Sequence, residues 1–311
     1  MNVLISVIIP THNPHVGRLR RTLKALREQT LASHNWDLIL VDNASSPPVH
    51  LRNFIEPVPL NMRLVVEPKL GLTAARRRGF AEVGGELIVL VDDDNELDCN
   101  YLTHVMTIFA NHSCIGSLGG KISPEFEVNP PQWMREFDGI LACRDYGDAP
   151  HIISGHQRSP NGLPAYPAYA PIGAGMAVRR VALQPWLDDV HADTLSDRRG
   201  MELTSGGDND IIFTLAENGW AVGYFPELAL THLIAAGRTT TAYLARLNHG
   251  IQKSWMHLLA KHKACPWPAI SAWTVPPRKA KAWVVYRAWE SKAAYVRWRG
   301  ACGHFEGRVH K

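Results

Sequence analysis

The chain has 311 residues, of which 46% are hydrophobic and 20% charged, a composition that excludes wholesale disorder and suffices for one large α/β domain with an appendage or for two small domains. Its five cysteines (Cys99, Cys114, Cys143, Cys265 and Cys302) are odd in number, and no two lie two or three residues apart, which argues against a zinc ribbon or a disulfide framework and fits a reducing compartment. The formal net charge of +4 is uneven: from Arg278 to Lys311 nine Lys or Arg face two Glu, a net of +7, so the remainder stands at −3.

The first residues lack the basic start and small-residue cleavage site of a secretory signal, and no run approaches the roughly 20 apolar residues that span a bilayer. The expected location is therefore cytoplasmic, at most peripheral on a membrane surface. Residues 5–10, Ile-Ser-Val-Ile-Ile-Pro, read as a buried strand. Leu19, Leu23 and Leu26 follow at helical spacing with basic residues on the other face. Strands are expected at Leu38–Val41, Met62–Val66 and Leu87–Val91, with a helix from about Leu72 to Val83 after the middle one. This alternation implies a Rossmann-like, doubly wound, mainly parallel sheet. A helix carrying Leu102, Val105, Met106 and Phe109 comes next, then a Pro-, Gly-, Tyr- and His-rich stretch over 124–172 that reads as a long loop region. Regular structure resumes at Ala174–Val178, followed by a helix over about Asn209–Asn218 ending at Gly219, and strands at Ala221–Tyr224 and Leu228–His232.

Thr11, Asn13, Asp42 and Asp92 each stand just past the C-terminal end of an expected strand, where open α/β sheets bind ligands. The sharpest local signal is Asp92-Asp93-Asp94 after a strand. Three consecutive carboxylates repel one another, and a divalent cation such as Mg²⁺ or Mn²⁺ would relieve the repulsion while neutralising a diphosphate. A solvated acidic turn capping the next helix is the alternative. A second constellation is Ser205-Gly-Gly-Asp208-Asn-Asp210. There Asp208 reads either as a helix cap, worth about 1 kcal/mol, or as a general base. His232 ends the strand after that helix, a path that returns it to the same crevice.

Taken together these motifs resemble the family 2 glycosyltransferases of the GT-A fold. The resemblance runs from Ile5 to Arg238 through Ser6-Val-Ile-Ile-Pro10-Thr11-His-Asn13, Leu40-Val-Asp42-Asn43, Gly71-Leu-Thr-Ala-Ala75-Arg76, Asp92-Asp93-Asp94, Gly173-Ala-Gly175-Met, Ser205-Gly-Gly-Asp208-Asn-Asp210 and Leu230-Thr-His232. It implies that Pro10, Thr11 and Asn13 line a nucleotide pocket and that Asp42 holds the base, usually uracil. Arg76, Asp92 and Asp93 fall on the nucleotide-sugar side, Asp94 on a Mn²⁺ or Mg²⁺ ion, and His232 on the metal or the diphosphate. Asp208 becomes the base that deprotonates the acceptor hydroxyl, so that transfer inverts the sugar. Two departures stand out: Gly207 precedes Asp208 where many members have Glu, marking a Ser-Gly-Gly-Asp variant, and Lys69 stands where asparagine is frequent.

The expected organisation is a GT-A catalytic domain over 1–240, with a nucleotide-binding half (1–98) and an acceptor-binding half (99–240), and a basic helical C-terminal extension over 241–311. The expected partners are a nucleotide-sugar donor, probed first as a UDP-sugar, and a glycan or lipid-linked acceptor of surface polysaccharide synthesis; nucleic acid is not expected. On the acceptor side Gly175 and Asp210 are candidates, with Trp133 either stacking on a sugar or anchoring its loop. In the extension Trp283, Tyr286, Trp289, Ala293 and Val296 fall roughly on one helical face among Lys and Arg, a pattern for an anionic membrane surface or for packing on the catalytic domain. Two other functions share parts of this pattern: a sugar-nucleotide-forming nucleotidyltransferase and an inactive nucleotide-sugar-binding partner. The first lacks its Gly-rich phosphate loop after the first strand, where Ile9-Pro10-Thr11-His12-Asn13 stands. The second is disfavoured by the joint presence of Asp92, Asp94, Asp208 and His232.

Overall fold

The structure, a computed structural model, describes residues 4–59, 61–189 and 206–309. Ser205, which opens the Ser-Gly-Gly-Asp motif, and the last two residues of the basic tail lie outside them. Strand β1 (Ile5–Thr11) is buried along its whole length, as an apolar run with neighbours on both edges must be. It pairs in parallel with β2 (Trp36–Asp42) on one side and β4 (Leu87–Leu90) on the other, while β3 (Met62–Val66) lies outside β2. Helix α1 (Val16–Arg27) buries Leu19, Leu23 and Leu26 against this sheet, and α2 (Leu72–Glu82) buries Ala75 and Phe80.

The chain therefore winds outward from β1 to β3 and returns to β4 beside β1. A crevice opens at that switch point, outside the carboxyl ends of the strands. Past α3 (Tyr101–Asn111) the sheet becomes mixed. Its full order is β3-β2-β1-β4-β9-β6-β10-β8, with β6 (Ile115–Gly119), β8 (His151–Ile153), β9 (Ala177–Arg179) and β10 (Ala221–Tyr224). Strand β9 runs antiparallel to both β4 and β6, and β8 antiparallel to β10.

A second sheet of three strands, β5 (Asn95–Leu97), β11 (Leu230–Ile234) and β7 (Ile122–Phe126), is ordered β5-β11-β7. Residues 124–172 are thus less irregular than their composition implies. They contain most of β7, a 3-10 helix over Gln132–Leu141 and β8. Pro124 inside β7 masks the strand in the sequence, and an edge position tolerates it.

Helices α4 (Arg180–Asp188) and α5 (Gly207–Glu217) pack on the main sheet. The C-terminal part holds α6 (Thr241–Lys261), α7 (Val275–Val285) and α8 (Lys292–Gly307). Leu244 and Leu247 of α6 share a core with Met134, Phe137 and Leu141 of the 3-10 helix, Ile234 of β11, and Ala293 and Val296 of α8. The extension is thereby seated on the part of the chain that holds the two sheets. The single aromatic stripe expected there is not found. The chain leaves the helix at Tyr286 and re-enters it at Lys292, which turns Ala293 and Val296 inward and leaves Tyr286 and Trp289 exposed. Among the described residues no helix is long and apolar enough to cross a membrane.

Candidate active site

The crevice holds a cleft of about 380 Å³ lined on one side by Pro10, Thr11, His12 and Asn43, on the floor by Asp92, Asp93 and Asp94, and elsewhere by Arg76, Arg144, Gly173, Asp208 and Arg238. Two local devices bring together residues far apart in sequence. The first is the pairing of β5 with β11. Its register sets His232 opposite Asn95, and the Leu233 amide donates to the Asp94 carbonyl at 2.8 Å. His232 is thereby fixed against Asp94, with Nε2 3.5 Å from Oδ2. The second is the turn over residues 173–175. The Gly175 amide donates to the Leu90 carbonyl at the end of β4, and the Gly173 amide donates to Asp208 Oδ2 at 2.8 Å. This turn ties the first residues of α5 to the strand that delivers the three aspartates.

Asp208 stands in the first turn of α5, and its other oxygen accepts from the Asn209 amide at 3.0 Å. Both contacts orient the carboxylate, which still faces the cleft. Gly173 has a second duty. A Cβ there would stand 2.1 Å from Arg76 Nη2, so its missing side chain is what lets the buried Arg76 guanidinium enter the cleft wall.

The carboxylate cluster is crowded. The Thr11 hydroxyl donates to Asp93. Burial and the neighbouring Asp94 charge push the Asp93 carboxyl up to about 7, with the Thr11 bond pulling the other way. Arg238 Nη1 donates to Asp94 Oδ2 at 2.9 Å and to His232 Nε2 at 3.0 Å. Burial opposes the guanidinium charge, but Asp94 and Tyr243 outweigh it and raise the Arg238 pKa. With Nε2 accepting, His232 carries its proton on Nδ1, which is buried and finds no partner.

Among the described residues no group of three or more His, Cys, Asp or Glu is arranged around a metal position. Asp94 and His232 nonetheless form a carboxylate and imidazole pair whose facing atoms both accept from Arg238, so a metal ion held by the pair would have to displace that guanidinium. Two protein ligands suit Mg²⁺ or Mn²⁺, which take their remaining positions from water and phosphate oxygens.

Other candidate residues stand outside the lining of the cleft. Asp42 is buried and does not line the cleft. Its oxygens accept from the Ser45 and Val49 amides at 3.1 and 3.0 Å, which shapes the loop after β2. Asn13, exposed, likewise braces that loop through Ser45 and Ser46. Trp133 packs edge-on against Phe137, away from the cleft, which makes it a loop anchor. Gly175 is a packing position: its φ is +77°, and a Cβ would stand 2.5 Å from Leu230. Asp210 is fully buried and accepts from Trp186, Lys261 and His262, each at 2.8 Å, so no acceptor reaches it. His232 touches the cleft only through Asp94 and Arg238.

Other cleft residues carried no assigned role in the sequence. Asn43 accepts from the Gly71 amide at 2.8 Å and donates to the Glu67 and Lys69 carbonyls, joining the loops after β2 and β3. Its place next to Asp42 was the available signal. Arg144 and Ile251 of α6 had none, since neither sits in a motif.

The comparisons fit this geometry. Residues 6–184 match the model of "Glycosyl transferase family 2". The chain belongs to glycosyl transferase family 2. The matched span contains the three aspartates, Arg76 and Gly173, and the architecture is the GT-A fold. A crystal structure of Staphylococcus aureus TarS 1-349 in complex with UDP aligns with 98% of this chain and 90% of its own, at a TM-score of 0.50 and 14% identity. The same TarS segment, in a structure whose description names no ligand, gives a TM-score of 0.49 at the same coverage and identity. A curated relative, the "Uncharacterized protein y4gI" of Sinorhizobium fredii, is 32% identical over 113 residues. Those residues are 35% of this chain and 12% of that protein, so the chain spans a small part of the relative's length.

Proposed function

We propose that this glycosyltransferase moves a sugar from a nucleotide-diphosphate donor to an acceptor hydroxyl with inversion, Asp208 acting as the base. One observation carries the reading: Asp94 and Asp208 line the same cleft, one against the Arg238 guanidinium, the other oriented by two backbone amides. Pro10, Thr11, Asn43, Arg76, Asp92 and Asp93 form the nucleotide-sugar side. UDP is the first nucleotide to probe, because the TarS structure that shares the fold holds it. The acceptor is a glycan or lipid-linked hydroxyl, in keeping with surface polysaccharide synthesis. The catalytic part runs over 1–240, split near residue 98, and the extension 241–311 lends it Ile251.

The acceptor oxygen approaches Asp208 and gives up its proton as it attacks the anomeric carbon opposite the diphosphate. Arg76, buried, and Arg238, half-buried, meet charge on the diphosphate as preorganised guanidiniums. A bound Mn²⁺ or Mg²⁺, for which Asp94 and His232 are the residues in place, supplies further stabilisation of the departing charge. In this reading Asp208→Asn lowers sugar transfer by about 10²–10⁴-fold and leaves UDP affinity unchanged. Turnover with a panel of UDP-sugars, beside calorimetric titration with UDP, checks both. Wild-type turnover in the variant removes Asp208 from its role.

A further inference from the structure

Helix α7 buries one narrow side. Val275 and Ala282 face inward, and Trp283 packs edge-on against Trp298 of α8 with ring centroids 4.7 Å apart. The Trp298 indole N–H donates to the Lys279 carbonyl at 3.1 Å, which fixes the rotation of α7 on α8. The opposite side therefore cannot turn inward, and it presents Val284 and Val285 on either side of Lys281. Val284 and Val285 are 61% and 66% exposed on the helix, Trp273 is 79% exposed in the turn before it, and Tyr286 and Trp289 are 43% and 57% exposed in the turn after it.

Two Trp, one Tyr and two Val exposed between Trp273 and Trp289 set this stretch apart from the singly exposed apolar residues of ordinary protein exterior. Beside and between them stand the exposed cations Arg278, Lys281, Arg287 and Lys292. The one acid, Glu290, is paired with Arg287 at 3.2 Å.

We infer that this face of α7 docks on an anionic lipid surface. Trp and Tyr rings settle at the headgroup level with Val below them, and the Lys and Arg beside them meet anionic phosphates. Charge decides among occupants. A second copy of the chain would set four cations against four, and Lys is depleted in protein interfaces. A surface of negative phosphates matches both the cations and the apolar side chains. The assignment stands apart from the transfer reading, because lipid partition is measured without donor or acceptor.

The test is co-sedimentation of the full chain with vesicles of phosphatidylcholine alone or mixed with phosphatidylglycerol. Binding is expected to the mixed vesicles, with affinity falling as salt rises. Trp273→Ser, Val285→Ser and Trp289→Ser combined should weaken it by about tenfold or more, and so should Arg278→Gln with Lys281→Gln. All five sites are exposed, so unchanged thermal unfolding confirms that the variants fold. Absence of binding, equal binding to neutral vesicles, or variants that bind like the wild type overturns the assignment. So does sedimentation equilibrium that reveals a dimer dissociated by the same substitutions.

Discussion

Gly173 joins the two sides of the cleft. Its amide holds Asp208, and its missing Cβ makes room for Arg76. Gly173→Ala should therefore displace the guanidinium and raise the donor KM by about tenfold to a hundredfold, since small misplacements of binding groups are costly. Steady-state kinetics with a saturating acceptor reads this directly, and an unchanged KM shows that Arg76 does not meet the donor. Arg238 plays a complementary part, as the counter-ion that lets Asp94 and His232 lie side by side. Arg238→Ala strands a part-buried carboxylate, which should cost about 1–3 kcal/mol of stability. If Asp94 and His232 do form a cation site, Mn²⁺ should recover much of that loss in a thermal unfolding experiment. At this scale the motifs picked out three aspartates, Arg76 and Asp208, which the fold brings to one cleft. Asp42, Asn13 and Asp210 stand outside the lining of that cleft, because position after a strand or beside Asp208 does not say which way a side chain turns. Arg238 closed the resembling region yet carried no role there, since a lone arginine in a loop has no pattern of its own.

Helix α5 is aimed from behind. Asp210, two residues past Asp208, is held by Lys261 and Trp186 and by His262, whose second ring nitrogen reaches Glu217 at 3.0 Å. Both His262 nitrogens face carboxylates, an arrangement that favours the protonated ring, in which both donate. Burial works against that charge, but the bonds to Asp210 and Glu217 prevail and raise the His262 pKa above its ordinary 6.5. Asp210 is held below its ordinary 3.8, its burial outweighed by the bonds from His262 and Lys261. The histidine contribution to stability is therefore complete below about pH 6.5 and is lost as pH rises through the raised value, while the Asp210 contribution is lost only as pH falls below about 4. Melting temperature should fall between pH 6 and pH 9 in the wild type, and this slope should flatten in His262→Gln; an equal slope in both would place the titrating group elsewhere. None of this network could be read from the sequence, because Asp210 and His262 are 52 residues apart and α6 lies beyond the resembling region. Strand β9 escaped for another reason: three residues entering antiparallel between β4 and β6 leave no periodicity to distinguish them from a parallel strand.

At the scale of the molecule, the winding from β1 to β4 was legible, because buried parallel strands read as short β-branched runs that end in polar residues. The second sheet was not, since its strands are short and depend on partners distant in the chain. That sheet is nonetheless what carries His232 to Asp94. The charge asymmetry was legible too, but the side of α7 that meets solvent required the packing of Trp283 on Trp298. The central claim is that one cleft holds the donor at Asp94 and activates the acceptor at Asp208. Calorimetric titration of UDP with Mn²⁺ into Asp94→Ala and Asp208→Asn, each paired with a turnover assay, tests it most directly. The account predicts lost nucleotide affinity in the first variant and wild-type affinity without turnover in the second. Wild-type UDP affinity in Asp94→Ala, or undiminished turnover in Asp208→Asn, would contradict it.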